Sequence, residues 1–392
     1  MPRLLQVTTI PLTMEAFLLP YAAHFRQKGW VVHGAAANLN KSSRAASAFN
    51  RCFNLPFSRK PLQNNLRNLC RSIRALVAEN EYDIVHVHTP IAAFITRFAL
   101  RGARNGKGRP VVIYTAHGFH FHRLTRSPVA RFYKLAERVA ARWTDYLIVI
   151  NRDDFTIAQT FFPQSRRVRQ FPGIGIDLSA YSPSAVPESA VTQFRKDIGL
   201  NGDEVILLTV GELNPGKRHT DAILALRKLM RSDVHLVIAG EGPLRDNLLE
   251  LARQIGLGDR VHLLGFRKDM PVIFKSAAAL LFPSEREGLS RSIMEAMALD
   301  IPVIGSNARG VKDLVENGSG LSFEVGDVEG LARAVNTLLP DRSVAQNLVA
   351  GARASLPGYS LAHLLRLHES LYNEALSIQV VCLRSAESAK CP

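Results

Sequence analysis

Cysteine is scarce in this chain. The 392 residues include four cysteines, and no two of them form a Cys-x-x-Cys pair or a cysteine–histidine metal spacing. Disulfide-rich secreted domains and structural zinc modules depend on such spacings. The cysteines are Cys52, Cys70, Cys382 and Cys391. Their scarcity and spacing predict a protein of a reducing compartment, with no disulfide framework and no structural zinc.

Long apolar runs are missing as well. No window reaches the roughly 18 continuous apolar residues that a membrane-spanning helix needs. Pro11, Glu15 and Pro20 interrupt the first apolar stretch, so residues 4–10 predict a buried strand rather than a secretory signal. No Gly-x-Gly-x-x-Gly segment follows that strand, which disfavours a dinucleotide-dependent oxidoreductase. These absences predict a cytoplasmic protein.

Negative charge is scarce in the first half of the chain. Residues 1–180 contain 26 lysines and arginines against 9 acidic residues, whereas residues 181–392 contain 23 against 25. Basic residues interleaved with apolar ones suit an anionic membrane surface, where each contributes roughly 1 kcal/mol. Nucleic acid binding and a merely solvated basic surface are the other interpretations. The basic candidates are Arg67, Arg71, Arg74, Arg101, Arg104, Lys107, Arg109 and residues 123–142.

Short apolar strands alternate with helical segments in both halves, which is the pattern of doubly wound parallel sheets. In the first half we predict strands at residues 4–9, 31–35, 84–88, 111–115 and 146–150. In the second half we predict strands at residues 205–210, 235–239, 261–264, 279–282 and 303–305. The sequence therefore predicts an α/β protein with two Rossmann-like domains facing a cleft, and with ligands beyond the carboxyl ends of the strands.

The domain boundaries follow from composition. Residues 171–187 are rich in Pro, Gly and Ser and predict the linker, so the two domains are expected at residues 1–180 and 181–355. A helix within residues 356–378 is expected to close the molecule and to cross back to the first domain. Residues 379–392 are expected to be disordered.

The most informative segment is residues 283–305, which read PSEREGLSRSIMEAMALDIPVIG. An apolar strand end precedes it, and a helix is predicted to begin near Ser290. A loop that leads into a helix exposes unpaired N–H groups and the positive end of the helix dipole, which favours phosphate. Glu287 in the loop and Glu295 in the helix can accept hydrogen bonds from sugar and ribose hydroxyls. This arrangement predicts a nucleotide-sugar site.

The same segment resembles the donor-binding signature of the retaining glycosyltransferases of family 4. The resemblance covers roughly residues 1–376 and implies the two-domain architecture called GT-B. It implies that the first domain binds the acceptor and the second the nucleotide-sugar donor. It also implies donor contacts for Gly288, Leu289, Ser290 and Glu295, and a catalytic role for Glu287.

A second segment, VGELNPGKRH at residues 210–219, joins a strand to a helix through a glycine turn. Lys217 can offset the negative charge that grows on a departing diphosphate. Glu212 occupies the position where the family usually has an arginine, a departure that resembles one sub-branch. We therefore predict a donor-binding role for Lys217, no phosphate role for Glu212, and Arg218 as a candidate for the missing charge.

A third segment, YTAHGFHFHR at residues 114–123, ends a strand of the first half. His117 resembles the family's cleft histidine, which assists by hydrogen bonding near the transferred sugar, and the resemblance implies a catalytic role. A metal site at His117, His120 and His122 is disfavoured, because no acidic partner stands at zincin spacing. His86 and His88 alternate on one strand and are predicted to be structural.

Two further turns, at residues 237–248 and 261–269, border the nucleotide in the resembling family. Gly240 allows the backbone to come close, and Phe266 and Arg267 are candidates for contacts with the base. Ordinary tight turns are the competing interpretation.

Other segments resemble the sub-branch that builds capsular polysaccharide, exopolysaccharide or lipid-linked oligosaccharides on polyprenyl diphosphate. They are LPFSRKPLQNN, YDIVHVHTP, TAHGFHFH, RWTDYLIVINRDDF and FPGIGID. Such an acceptor is anionic and membrane-anchored, which accounts for the basic first half. The resemblance implies acceptor contacts for Thr9, Phe17, Arg123 and Arg126, and a donor that is a UDP-linked hexose or N-acetylhexosamine.

These inferences predict a retaining glycosyltransferase in which the acceptor attacks from the face that the leaving group vacates, with no protein nucleophile, metal or other cofactor. The protein is expected to lie at the cytoplasmic face of the membrane as a peripheral protein. A non-hydrolysing sugar-nucleotide epimerase is an alternative with the same architecture. A nucleic-acid-binding protein that uses only the basic half is a further alternative.

Overall fold

The computed structural model describes residues 1–102, 109–121, 128–162 and 167–388, with side chains described up to residue 377. The chain folds as two compact units. Unit 1 comprises Met1–Phe171 and Leu365–Pro392, and unit 2 comprises Pro172–Leu364. The chain thus enters unit 2 at the start of the predicted linker and returns to unit 1 within its last helix.

In its described residues, unit 1 contains one sheet of seven parallel strands in the order β3-β2-β1-β4-β5-β6-β7. This is a Rossmann order, and its direction reverses between β1 and β4, where ligands of such sheets bind. The strands are β1 Arg3–Val7, β2 Val31–Ala36, β3 Arg51–Asn54, β4 Ile84–Val87, β5 Val111–Ala116, β6 Tyr146–Val149 and β7 Val168–Gln170.

The helices of unit 1 cover the sheet and bury one face each. In the helix Leu66–Asn80, the apolar residues Leu69, Ile73 and Leu76 follow a helical repeat and pack in the core. The Asn65 side chain caps the first turn of this helix. The helices are α1 Pro11–Phe17, α2 Leu19–Gln27, α3 Ser43–Ala48, α4 Leu66–Asn80, α5 Pro90–Leu100, α6 Pro128–Ala140 and α7 Arg152–Phe161.

Unit 2 contains, in its described residues, a sheet of six parallel strands in the order β10-β9-β8-β11-β12-β13. Its direction reverses between β8 and β11. Alternate residues of β8 point to opposite faces, so that Leu208 and Leu207 belong to different cores. The strands are β8 Val205–Val210, β9 Val234–Ala239, β10 Val261–Gly265, β11 Ala279–Phe282, β12 Val303–Ser306 and β13 Leu321–Phe323.

The remaining helices cover the second sheet, and the last one belongs to both units. It begins in unit 2 and continues as Leu365 and onward in unit 1, where Leu371, Tyr372 and Ala375 are buried. The helices are α8 Glu188–Asp197, α9 His219–Lys228, α10 Arg245–Gln254, α11 Met270–Lys275, α12 Arg291–Ala298, α13 Lys312–Val315, α14 Val328–Leu338, α15 Arg342–Tyr359 and α16 Leu361–Ser388.

The predicted fold class is confirmed: both units are doubly wound parallel sheets. Every predicted strand is present, with ends that differ by one or two residues at most. The sequence missed β3, β7 and β13, which are short edge strands of three or four residues. The disorder expected from residue 379 differs from the structure, which continues α16 to Ser388.

Candidate functional site

The carboxyl edge of the unit 2 sheet collects the residues that the sequence singled out. The loop after β8 carries Lys217, and the loop after β11 carries Glu287. These strands are neighbours and flank the point where the strand order reverses. Both side chains therefore lie where open α/β sheets bind their ligands.

Lys217 and Glu287 are in direct contact. The Lys217 ammonium donates to Oε1 of Glu287 at 2.5 Å, and the Ser284 hydroxyl donates to the same oxygen at 2.6 Å. The two loops are also tied by their backbones, because the Glu285 N–H donates to the Gly216 carbonyl at 2.9 Å. Lys217 and Glu287 both remain partly exposed. The Lys217 ammonium is thus fixed at the edge of the sheet by its ion pair with Glu287, and both groups remain accessible to a ligand.

Helix α12 begins beside this pair, as the sequence predicted. The Ser290 side chain accepts from the Ile293 N–H at 3.4 Å and so caps the first turn. Gly288 and Leu289 precede the cap and are partly exposed. Gly310 has φ +75°, and a Cβ there would lie 2.3 Å from the Gly288 carbonyl oxygen. The loop is therefore held in place by a close backbone contact at Gly310, a residue that no sequence pattern singled out.

Glu295 lies in α12 and is buried. Its Oε1 accepts from Nε of Arg291 at 2.8 Å, and Tyr181 hydrogen-bonds to the same carboxyl group. Burial raises the pKa of Glu295, and Arg291 and Tyr181 oppose that shift in part. The structure thus gives Glu295 two protein partners that the sequence predictions did not name: Arg291 on the same helix, at the i,i+4 spacing, and Tyr181, which is 114 positions away along the chain.

The glycines after β8 and β9 pack against each other. Gly240 has φ +155°, and a Cβ at this position would lie 1.9 Å from the Gly211 carbonyl oxygen. The Gly240 N–H also donates to the Gly265 carbonyl at 2.9 Å, which joins the ends of β9 and β10. A contact within the protein therefore already requires glycine at position 240.

Phe266 and Arg267 follow β10, two strands away from β8. The Phe266 side chain is 69% exposed and available for contact. Arg267 donates two hydrogen bonds to Asp269, at 2.8 and 2.6 Å. Arg218 is likewise engaged by a carboxylate, because it donates to Asp221 at 2.6 Å. These two arginines differ from Lys217, whose carboxylate partner Glu287 is itself a predicted site residue.

The predicted residues of unit 1 lie at its own switch point. Thr9 follows β1, and its hydroxyl lies 2.6 Å from the hydroxyl of Thr89 after β4. His117 follows β5, and its Nε2 lies 3.3 Å from Nδ1 of His88. Phe17 stacks on the His117 ring at 6.2 Å between centroids. The structure therefore brings Phe17 and His117 together at this edge.

A buried polar cluster supports His117. Burial lowers the pKa values of His86 and His88 well below the usual range for histidine, and it lowers the pKa of His117 to about 4. Within the described residues, no group of three or more His, Cys, Asp or Glu side chains is arranged to hold a metal ion. Arg123, Arg126 and His122 lie outside the described residues.

Comparison with known proteins agrees with the fold described above. Residues 14–179 match the family described as Glycosyltransferase Family 4, and residues 191–355 match Glycosyl transferases group 1. A Bacillus subtilis (strain 168) protein named "Putative glycosyltransferase EpsD" is 30% identical over 374 residues, which are 95% of this chain and 96% of that protein.

Two further proteins extend the comparison. The UDP-Gal:alpha-D-GlcNAc-diphosphoundecaprenol alpha-1,3-galactosyltransferase of Escherichia coli is 30% identical over 278 residues, covering 69% of this chain and 70% of that enzyme. Crystalline HepE of Anabaena in complex with UDP has a TM-score of 0.79 at 20% identity, covering 95% of this chain and all of that one. The two parallel-sheet units define a protein of GT-B architecture. The chain belongs to glycosyltransferase family 4, as its sequence predicted.

Proposed function

We propose that this glycosyltransferase moves a hexose or N-acetylhexosamine from a UDP-sugar to a saccharide carried on polyprenyl diphosphate, with retention of configuration. The observation that carries the proposal is the Lys217–Glu287 contact at the switch point of unit 2. The Escherichia coli relative is named for this donor and acceptor chemistry, and HepE was crystallised with UDP. The polysaccharide that would result is a cell-surface glycan.

The donor is proposed to lie at the carboxyl edge of unit 2. Lys217 and the N–H groups at the start of α12 would face the diphosphate, and both supply positive potential without a metal ion. Glu287 would accept hydrogen bonds from the sugar hydroxyls, and Glu295 from the ribose. Phe266 is exposed next to this edge and suits contact with the base. In this arrangement the growing charge of the leaving group is offset by fixed protein groups.

The sugar is proposed to be transferred by attack of the acceptor hydroxyl on the face that UDP leaves, which requires no protein nucleophile. The pKa of His117, lowered to about 4, keeps its ring neutral at pH 7. His117 therefore suits a hydrogen-bonding role in the reaction rather than a charged one. Thr9 and Phe17 of unit 1 are proposed to contact the acceptor.

The acceptor's lipid carrier implies a membrane surface, and α6 has the features to bind one. Its side chains Val129, Phe132 and Leu135 are 65%, 62% and 62% exposed, and the exposed basic residues Arg131, Lys134 and Arg138 alternate with them. This combination is typical of helices that lie at an anionic bilayer. Within the described residues, no helix meets the length and hydropathy needed to cross a bilayer.

The inner face of α6 is fixed, so its apolar outer face cannot simply turn inward. Glu137 is buried and accepts two hydrogen bonds from the Arg97 guanidinium, both at 3.0 Å. Arg97 is fully buried on α5 and stacks on the Tyr114 ring at 4.2 Å. The exposed apolar residues of α6 are therefore held on the outer surface of unit 1, which suits a peripheral membrane contact.

The direct test is a transfer assay. Purified protein would be incubated with a panel of UDP-hexoses and UDP-N-acetylhexosamines and a synthetic GlcNAc-diphosphopolyprenol, in the presence of EDTA. We expect one donor to be transferred with retained anomeric configuration. Glu287→Ala should abolish transfer, whereas Glu329→Ala should not, although Glu329 also lies 2.5 Å from a lysine, Lys228. An inverted product, epimerisation without transfer, or equal effects of the two substitutions would each contradict the proposal.

A further inference from the structure

A continuous chain of hydrogen bonds runs from His117 to the carboxyl-terminal helix, entirely within unit 1. His117 Nε2 lies 3.3 Å from His88 Nδ1, and His88 Nε2 lies 2.6 Å from Oε1 of Gln6. The amide nitrogen of Gln6 lies 3.3 Å from the hydroxyl of Tyr372 on α16. All four of these residues belong to unit 1.

The series of hydrogen bonds continues past Tyr372. The Tyr372 hydroxyl lies 2.6 Å from Nδ1 of His86, and Nε2 of His86 lies 2.7 Å from the Thr115 hydroxyl. Apart from His117, every residue in this series of hydrogen bonds is buried: His88, Gln6, Tyr372, His86 and Thr115. Because water is excluded here, each donor must find its acceptor among these side chains.

The directions of these bonds are set by the amide of Gln6. A neutral imidazole carries one N–H, and the lowered pKa of each histidine in the chain keeps its ring neutral. The amide oxygen of Gln6 can only accept, so Nε2 of His88 carries its proton and Nδ1 of His88 is bare. His117 must then donate its own Nε2–H to that bare nitrogen.

The opposite orientation of the amide fits the distances poorly. It would place two nitrogens 2.6 Å apart at His88, which is shorter than the usual nitrogen–oxygen hydrogen bond. It would also stretch a tyrosine O–H bond to an amide oxygen to 3.3 Å, beyond the usual oxygen–oxygen range. The observed orientation gives the oxygen to the short contact and the nitrogen to the long one.

We propose that Gln6 and Tyr372 are positioning residues that hold His117 in the tautomer with a proton on Nε2 and a bare Nδ1, which accepts a hydrogen bond from a sugar hydroxyl. Within the described residues of unit 1, Nδ1 of His117 makes no hydrogen bond, so it is available for this contact. The sugar contact rests on the proposed function, whereas the tautomer is a property of the protein alone.

The first test needs no substrate. Full-length protein with isotope-labelled histidine would be studied by NMR, since protonated and bare ring nitrogens differ strongly in chemical shift. We expect His117 to show a bare Nδ1 and a protonated Nε2 at neutral pH. A proton on Nδ1 in the wild-type protein would overturn the proposal, even if the protein transfers sugar normally.

The second test uses variants with a matched control. Tyr372→Phe removes the hydroxyl that holds the Gln6 amide, and Gln6→Leu removes the amide itself. Tyr82→Phe is the control, because Tyr82 is also buried in unit 1 and its hydroxyl also lies 2.6 Å from a histidine, His33, which is outside the chain of hydrogen bonds. All three substitutions remove one hydroxyl or amide from a buried position, so all three are expected to lower stability.

The tautomer and the turnover should separate the variants. In Tyr372→Phe and Gln6→Leu we expect the proton of His117 to be shared between its two ring nitrogens. We also expect kcat to fall by about two- to fivefold, measured with the UDP-sugar that the wild-type protein transfers in the donor panel. The donor KM should stay unchanged. Tyr82→Phe should keep the wild-type spectrum and kcat. Unchanged His117 shifts in both test variants, or the same change in the control, would refute the positioning role.

Discussion

Replacement of Lys217 by alanine is the sharpest test of the donor site. The substitution removes the ammonium group that lies 2.5 Å from Glu287 and 5.3 Å from the centre of the Phe282 ring. Lys217 is partly exposed, so its loss should affect ligand binding more than folding. We therefore expect Lys217→Ala to fold normally and to bind UDP weakly.

The expected rise in Kd follows from two losses: the charged hydrogen bond from Lys217 to the diphosphate, and the ion pair between Lys217 and Glu287. A hydrogen bond from a charged donor contributes roughly 1.5–3 kcal/mol. Since about 1.4 kcal/mol corresponds to a tenfold change, Kd for UDP should rise roughly 10- to 150-fold. The substitution also leaves the Glu287 carboxylate without its counter-charge, with the Ser284 hydroxyl as its remaining donor in the described contacts. The unpaired carboxylate would repel the phosphates, which favours the upper end of this range of Kd values.

Isothermal titration calorimetry with UDP measures this change, and Lys228→Ala is the matched control. Lys228 forms an equally short ion pair, with Glu329, and its loss changes the net charge by the same amount. It lies at the far end of α9, about 15 Å along the helix from the edge of the sheet. Wild-type affinity in Lys217→Ala, or an equal loss in Lys228→Ala, would falsify the assignment of Lys217 to the diphosphate.

Three other predictions concern stability and membrane binding. Burial raises the pKa of Glu295 above its unfolded value of 4.5, so the stability that this group contributes is present below pH 4.5 and is lost as pH rises through the raised pKa. Glu295→Gln should lessen this loss by roughly 1.4 kcal/mol for each pH unit between the unfolded and folded pKa values, measured from urea midpoints at about pH 4 and about pH 8. The same pH dependence in both proteins would contradict it. His86, His88 and His117 of unit 1 have lowered pKa values, so the unfolded chain takes up protons first and stability should fall as pH drops below 6.5. The fall should be up to roughly 1.4 kcal/mol per pH unit for each histidine until its folded pKa is reached, which is about 4 for His117, and a urea midpoint that stays flat across this window would contradict it. The double substitution Phe132→Ser and Leu135→Ser should release the protein from anionic vesicles in flotation assays. Burial of each of these exposed side chains in the membrane contributes roughly 1.5–3 kcal/mol to the binding free energy. Met230→Ser, at an exposed position of unit 2, should not release it, and equal release by both would exclude α6 as the membrane contact.

The sequence predicted the elements whose signals are local. Strands such as β8 and β11 are continuous apolar runs, because a parallel sheet buries both of their faces. The start of α12 was found from Ser290, whose capping signal lies within four residues. The edge strands β3, β7 and β13 were missed because three or four half-exposed residues give no distinct pattern.

The partners of the site residues could not be predicted in the same way. Lys217 and Glu287 are 70 positions apart, and the local patterns and the family resemblance put each at the donor without indicating that the two side chains touch. Tyr181 and Glu295 come together only when the predicted linker, residues 171–187, packs against α12. Gln6 and Tyr372 are 366 positions apart, so no sequence window contains both. Such contacts are set by topology, which the order of apolar segments leaves open.

The return of α16 to unit 1 makes the two units unequal as pieces of chain. Unit 2 is one continuous segment, inserted into a unit whose own sequence is discontinuous. During synthesis unit 2 can complete its contacts first, whereas unit 1 must wait until Tyr372 has emerged to close its polar interior. A fragment that stops at residue 171 would therefore lack part of its own core, while residues 172–364 could be excised as a candidate autonomous domain.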